Sequence, residues 1–186
     1  QVMSTLKVNG IRSVSGSSDA ISIDAATGVT AINGAAIGGL RNVIVNGAML
    51  VHQYGSTSQV TNNMVCDRFR VIFAGEDEDP VFSKVDLSSS DTGPWAKGFR
   101  HALEVKNGNQ SSGAQGADKC EIQYKTEAMD IANSGWDYTS ASSYITLSFW
   151  IKSSVAQNFY GYLRAPDGTA QNYPFETGSL SANTWT

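Results

Sequence analysis

Residues 145–152, ITLSFWIK, alternate strictly. Ile145, Leu147, Phe149 and Ile151 fall on one side, and Thr146, Ser148, Trp150 and Lys152 on the other. A period of two matches a β-strand and no helix. The same period returns in CDRFRVIF (66–73), where Phe69, Val71 and Phe73 oppose Arg68 and Arg70. It returns again in FRHALEVKN (99–107), where His101, Leu103 and Val105 share a face, and in CEIQYK, with Ile122 and Tyr124 set inward. FYGYLRAPDGTAQNYPFE reads as two strands around Pro166-Asp167-Gly168, a turn with Pro and Gly where a turn needs them. One stretch departs: EAMDIANSG carries helix formers closed by Gly135 and predicts a short helix. No heptad run and no strand–helix alternation is present. The expected fold is mainly β: an extended N-terminal arm followed by a β-sandwich of jelly-roll type, with one short helix.

Composition narrows the function. Of 186 residues, 41% are hydrophobic and 16% charged, which is too apolar for a disordered chain. A net charge of −4 lacks the basic face that phosphate neutralisation requires, so no nucleic acid is expected as a partner. No long uncharged apolar run occurs, and no membrane insertion is expected. The opening QVMSTLKVNG has no apolar segment of the signal-peptide kind.

Residues 3–40 differ from the rest. They contain no aromatic residue, and short apolar pieces alternate with Gly, Asn and Asp. Apolar-Asn-Gly recurs at Val8-Asn9-Gly10, Ile32-Asn33-Gly34 and Val45-Asn46-Gly47, each a two-residue turn signal. Strands this small bury no core alone. They fit an arm docking on other subunits through Leu6, Val8, Ile11, Ile21, Ile23, Val29 and Ile32; the plain alternative is a floppy leader. Gly38-Gly39 reads as a joint, so the expected division is 1–40 for the arm and 41–186 for the sandwich. Met3 opens a natural-looking start, and SANTWT reads as the approach to a further strand, so the chain is expected to be the N-terminal piece of a longer protein.

Little in the sequence points to catalysis. Cys66 and Cys120 read as two small buried hydrophobes. His52 and His101 lie far apart without zinc-ligand spacing. Glu76, Asp77, Glu78 and Asp79 read as a solvated turn before Pro80; calcium is the competing reading, although the EF-hand spacing is absent. No nucleophile elbow, P-loop or dinucleotide motif occurs. No enzyme activity, catalytic residue, metal or cofactor is therefore expected. Trp150, Tyr160 and Tyr162 fall opposite the presumed core of their strands. They are either covered by another sheet or subunit or free to stack on a sugar. Trp95 and Trp136 sit at loop-to-strand junctions, as end plugs.

Two stretches carry a resemblance. RNVIVNGAMLVHQYGSTSQVTNNMVCDRFRV (41–71) resembles the segment that opens many phage tail-fibre modules, with its NG, its Q-x-G and its DRF. Residues 130–186, with TLSFWIKSS, Gly161 and Trp185, are similar to a later portion of the same modules, where two sheets form a jelly roll like that of carbohydrate-binding modules. The opening MSTLKVNGIRSVSGSSDAISID also resembles the first residues of virion proteins of marine and cyanobacterial phages. The resemblance implies a structural component of a phage virion, located in the tail: the virion-attached part of a tail fibre used in host adsorption. It implies a homotrimer, with other tail or capsid proteins bound through the arm. The competing readings are a capsid-attached fibre or decoration protein, and a carbohydrate-binding module that recognises a host surface glycan.

Overall fold

A computed structural model describes residues 42–113, 115–137, 139–166 and 168–186, together with the backbone of four strands in the first 41 residues. The chain is mainly β, built from antiparallel sheets with few, short helices, as the alternation predicts. It divides into two compact units: Gln1–Val45 with Lys125–Ile145, and Asn46–Tyr124 with Thr146–Thr186.

In the first unit, β1 (Gly10–Arg12), β2 (Asp19–Asp24), β3 (Gly28–Ile32) and β4 (Ala35–Ala36) form one antiparallel sheet in chain order. Its register pairs Ile11 with Ile21, Ile21 with Ile32, and Ile23 with Val29. The apolar positions of the arm thus fall in rows across neighbouring strands, which is what Gly- and Asn-rich connections between short β-branched pieces allow. Leu6 and Val8 lie outside the described residues. The same unit holds the expected helix, Ala128–Asn133. It ends at Ser134, and Gly135 follows at φ +76° in the left-handed conformation that closes helices.

The second unit opens with the expected Asn-Gly turn. Asn46 adopts φ +60°, and its amide side chain reaches across the loop. Its Oδ1 accepts from the Val51 N–H at 2.9 Å, and its Nδ2 donates to the carbonyls of Val51 and Asp67 at 2.9 and 3.0 Å. Next come β5 (Thr57–Ser58), β6 (Asn63–Cys66), β7 (Phe69–Ala74), β8 (Val81–Asp86), α1 (Thr92–Ala96), β9 (His101–Lys106) and β10 (Lys119–Tyr124). With the helix at Ala128–Asn133 as α2, β11 (Asn158–Ala165) and β12 (Gln171–Ser179) complete the series. They form two three-stranded antiparallel sheets, β10-β7-β6 and β5-β8-β9, and the hairpin β11-β12. Val65 and Cys66 of β6, Val71 and Phe73 of β7 and Phe82 of β8 are buried in one cluster, with Phe69, Leu103, Val105 and Met49 packed on it. Both three-stranded sheets feed that cluster, as the layers of a sandwich do.

Four details differ from the sequence reading. CDRFRVIF is two strands, not one. Asp67 and Arg68 turn between β6 and β7, with Arg68 at φ +77°, because Cys66 pairs back on Phe69. Ile122, expected inward, is 54% exposed: β10 is an edge strand, hydrogen-bonded among the described residues to β7 alone, so neighbours cover it on one side only. The loop before Trp95 contains α1, whose Pro94 needs no N–H partner in a first turn. The clearest strand pattern of all, 145–152, forms no ladder. A strand needs a neighbour, and among the described residues the backbone pairing here is at its end, where Ile151 and Thr186 exchange N–H···O bonds of 3.1 and 3.0 Å.

Candidate functional site

The β11–β12 hairpin carries two of the three aromatic positions singled out above. Its register sets Tyr160 opposite Glu176, Tyr162 opposite Pro174 and Arg164 opposite Asn172. Directly paired residues point to the same face, as do positions two apart, so these six side chains share one face of the hairpin. All six are exposed, Tyr160 at 79% and Tyr162 at 50%. The opposite face is backed differently. Gly161 pairs with Phe175, and a Cβ built on Gly161 would lie 2.5 Å from the Phe175 ring, so that ring lies over the bare glycine. Phe149 meets Phe175 with ring centroids 6.2 Å apart.

One end of the tyrosine face is held in place. Asn158 Nδ2 donates to Glu176 Oε2 at 2.7 Å, and Thr177 Oγ1 donates to Asn158 Oδ1 at 3.2 Å. The Phe159 N–H donates to Thr177 Oγ1 at 3.0 Å. The Glu176 carboxylate is thereby tied to the strand that carries Tyr160.

Trp150 does not join the two tyrosines. Its ring lies on α1, where a Cβ on Gly93 would come within 2.5 Å of it. Next to it is a polar latch that the sequence did not advertise. Asp91 stands at the N-cap position of α1 yet makes no side-chain cap bond there. Its Oδ1 accepts from the Trp185 indole N–H at 2.9 Å and from Lys152 Nζ at 3.0 Å, while Oδ2 accepts from the Ser88 N–H at 3.0 Å. The Lys152 ammonium also sits 4.8 Å from the Trp185 ring centroid, a cation–π distance. These donors, the Trp185 N–H first, hold the Asp91 carboxyl well below the usual carboxylate range. Trp95 is half-buried: the Arg100 guanidinium lies 3.7 Å from its ring centroid. In the first unit, the indole N–H of half-buried Trp136 donates to the Ser143 carbonyl at 3.4 Å.

The acidic run is a staple between loops. Asp77 accepts from the Ser112 N–H at 2.6 Å and from the hydroxyls of Ser112 and Ser111, and these bonds lower its pKa. Glu78 accepts from the Asn109 N–H at 2.6 Å, and Gln110 Nε2 donates back to the Glu78 carbonyl. Gly108 leaves room for the Glu78 side chain, since a Cβ there would lie 2.6 Å from Glu78 Cγ. Among the described residues, no group of three or more His, Cys, Asp or Glu converges.

The two cysteines differ. Cys66 lies in the core, and burial pushes its thiol up to about 11; Cys120, expected to be buried, is exposed on β10. His101 Nδ1 lies 2.8 Å from Asp86 Oδ1, and His52 Nδ1 lies 3.3 Å from the Leu50 carbonyl oxygen.

The strand-patterned segment is the other exposed apolar surface. From Thr146 to Trp150 no backbone group has a hydrogen-bond partner among the described residues, and Leu147, Phe149 and Trp150 are all exposed. No protein-family model, curated protein or solved structure matches this chain.

Proposed function

We propose that the chain is a structural component of a phage virion, the virion-attached part of a tail fibre used in host adsorption, which works as a homotrimer. The observation that carries this reading is the segment Thr146–Trp150, which is patterned as a strand, exposes its apolar side chains and has no backbone partner among the described residues. Unpaired edges with apolar side chains are what monomeric proteins avoid and assembling ones use. In this account, the segment completes its hydrogen bonding against another strand in the particle. The resemblance of residues 41–71 and 130–186 to tail-fibre modules names the kind of particle.

The four-stranded N-terminal sheet fits the anchoring role. It is short-stranded, rich in small residues and brings Ile11, Ile21 and Ile32 into one register row, which suits docking on a larger surface better than standing alone. Many copies on one particle make weak single contacts sufficient. Deleting residues 3–37 tests the role: particles assembled with the shortened protein lose it if the arm is the anchor, and unchanged incorporation refutes the anchor. Light scattering tests the trimer, and a stable monomer at micromolar concentration contradicts it.

A further inference from the structure

We propose that Asn107 is a site of spontaneous covalent modification. Its side-chain amide is lost through a cyclic imide, leaving isoaspartate or aspartate at the head of the loop that the acidic run staples. The inference does not depend on the virion reading; it rests on the geometry of this loop.

The chemistry needs an asparagine and a following nitrogen that can reach it. The Gly108 nitrogen attacks Asn107 Cγ and an N–Cγ bond forms. The Cγ–Nδ2 bond breaks, and the amide nitrogen leaves as ammonia with the proton of the Gly108 N–H. Water then opens the imide at either carbonyl. One opening restores the ordinary backbone with an aspartate side chain. The other routes the backbone through the side-chain carbon, as isoaspartate. Glycine in the following position favours ring closure, because it has no side chain to crowd the attack and the widest choice of backbone angles.

Two asparagines of the described residues precede glycine, Asn46 and Asn107, and their surroundings are opposite. The Asn46 amide makes three hydrogen bonds, with the Val51 N–H and with the carbonyls of Val51 and Asp67. Those bonds must open before its Cγ can turn to the Gly47 nitrogen. Asn107 is exposed, and its side chain has no hydrogen bond among the described residues. The Gly108 N–H is unbonded among them too.

The fold fixes the glycine as well. A Cβ at position 108 would lie 2.6 Å from Glu78 Cγ and 2.8 Å from the Glu78 carbonyl oxygen. A larger residue would displace the side chain that accepts from the Asn109 N–H at 2.6 Å. The pair that makes Asn107 reactive is therefore one the staple requires. Its place gives the reaction a consequence. Lys106 ends β9, paired with Val81, and Asn109 is already bonded to Glu78. Isoaspartate between them lengthens the main chain and adds a carboxylate to a loop that packs on Glu78 and Asp77. Both changes oppose the bonds that these two carboxylates accept from Asn109 and Ser112.

The test incubates the full chain at mildly alkaline pH, folded and in urea, and follows both sites by tryptic peptide mapping with mass spectrometry, in peptides 42–68 and 107–119. In the folded protein Asn107 should lose its amide about tenfold or more faster than Asn46, whose hydrogen bonds must open together. In urea the two rates should converge. Folded chains modified at 107 should exchange the Asn109 and Ser112 amides faster than unmodified ones, and Asn107→Gln should stay unmodified and keep both protected. A folded protein in which Asn107 is stable, or reacts no faster than Asn46, overturns the proposal. Modified chains that protect Asn109 and Ser112 as before overturn its effect on the staple.

Discussion

Asp91 is the residue whose removal separates the latch from the rest of the second unit. Asp91→Ala deletes the acceptor for the Trp185 indole N–H, Lys152 Nζ and the Ser88 N–H. Bonds to a charged acceptor contribute about 1.5–3 kcal/mol each where water is excluded. The Asp91 side chain is only 17% accessible, but Lys152 is 37% accessible, so its ion pair is screened and adds at most about 1 kcal/mol. The bonds are also not additive, since the Trp185 and Lys152 donors share one oxygen. The expected loss is about 2–3 kcal/mol in urea unfolding followed by tryptophan fluorescence. Asp91→Asn keeps an acceptor for Trp185 without the charge and should lose about half as much. Combining Asp91→Ala with Trp185→Phe should cost less than the sum of the two, with a coupling of about 1 kcal/mol.

The pH dependence of that latch has a definite sign. The folded-state pKa of Asp91 is depressed, so its stabilisation is complete at neutral pH and is lost as pH falls through the folded value. The gap in stability between wild type and Asp91→Asn should therefore stay constant down to about pH 5 and narrow below the unfolded carboxyl pKa of about 3.9. An Asp91→Ala loss under about 0.5 kcal/mol, or additive effects with Trp185→Phe, would refute the latch.

Three further outcomes follow from the packing. Phe82→Ala, at a fully buried position where both three-stranded sheets meet, should cost about 3–5 kcal/mol in the same unfolding assay. Gly161→Ala drives a methyl group into the Phe175 ring and should cost about 1–3 kcal/mol, partly restored in Gly161→Ala/Phe175→Leu. A thiol reagent at pH 8 should modify Cys120 first and reach Cys66 only on unfolding, because Cys66 is fully buried in the core while Cys120 is exposed; burial raises both thiols, and the Glu76 and Glu121 carboxylates raise Cys120 further, so access and not protonation sets the order.

What the sequence made legible was local. The turn at Asn46-Gly47, the stop at Gly135 and the hairpin around Pro166 follow from backbone preferences of neighbouring residues, and so do the inward faces of β7 and β9. Period two alone placed Tyr160 and Tyr162 on one face of their strand, leaving open whether that face is covered. The residues opposite them were not readable: which residue faces Tyr160 depends on the hairpin register, and a bulge between Asn158 and Tyr160 shifts it. The partner of Asp91 was hidden for a stronger reason. Trp185 lies 94 residues away, and Ser88–Asp91 reads as an ordinary polar loop. The pattern at 145–152 was read as the clearest strand, yet the segment forms none: alternation names a strand without naming its neighbour.

Hydrogen–deuterium exchange at the amides of residues 146–150, in the isolated chain and in assembled particles, tests the assembly account most directly. Free amides without partners should exchange in the isolated chain at near-unstructured rates and slow by about a hundredfold or more once a neighbouring strand accepts them. Equal, rapid exchange in both states would contradict it.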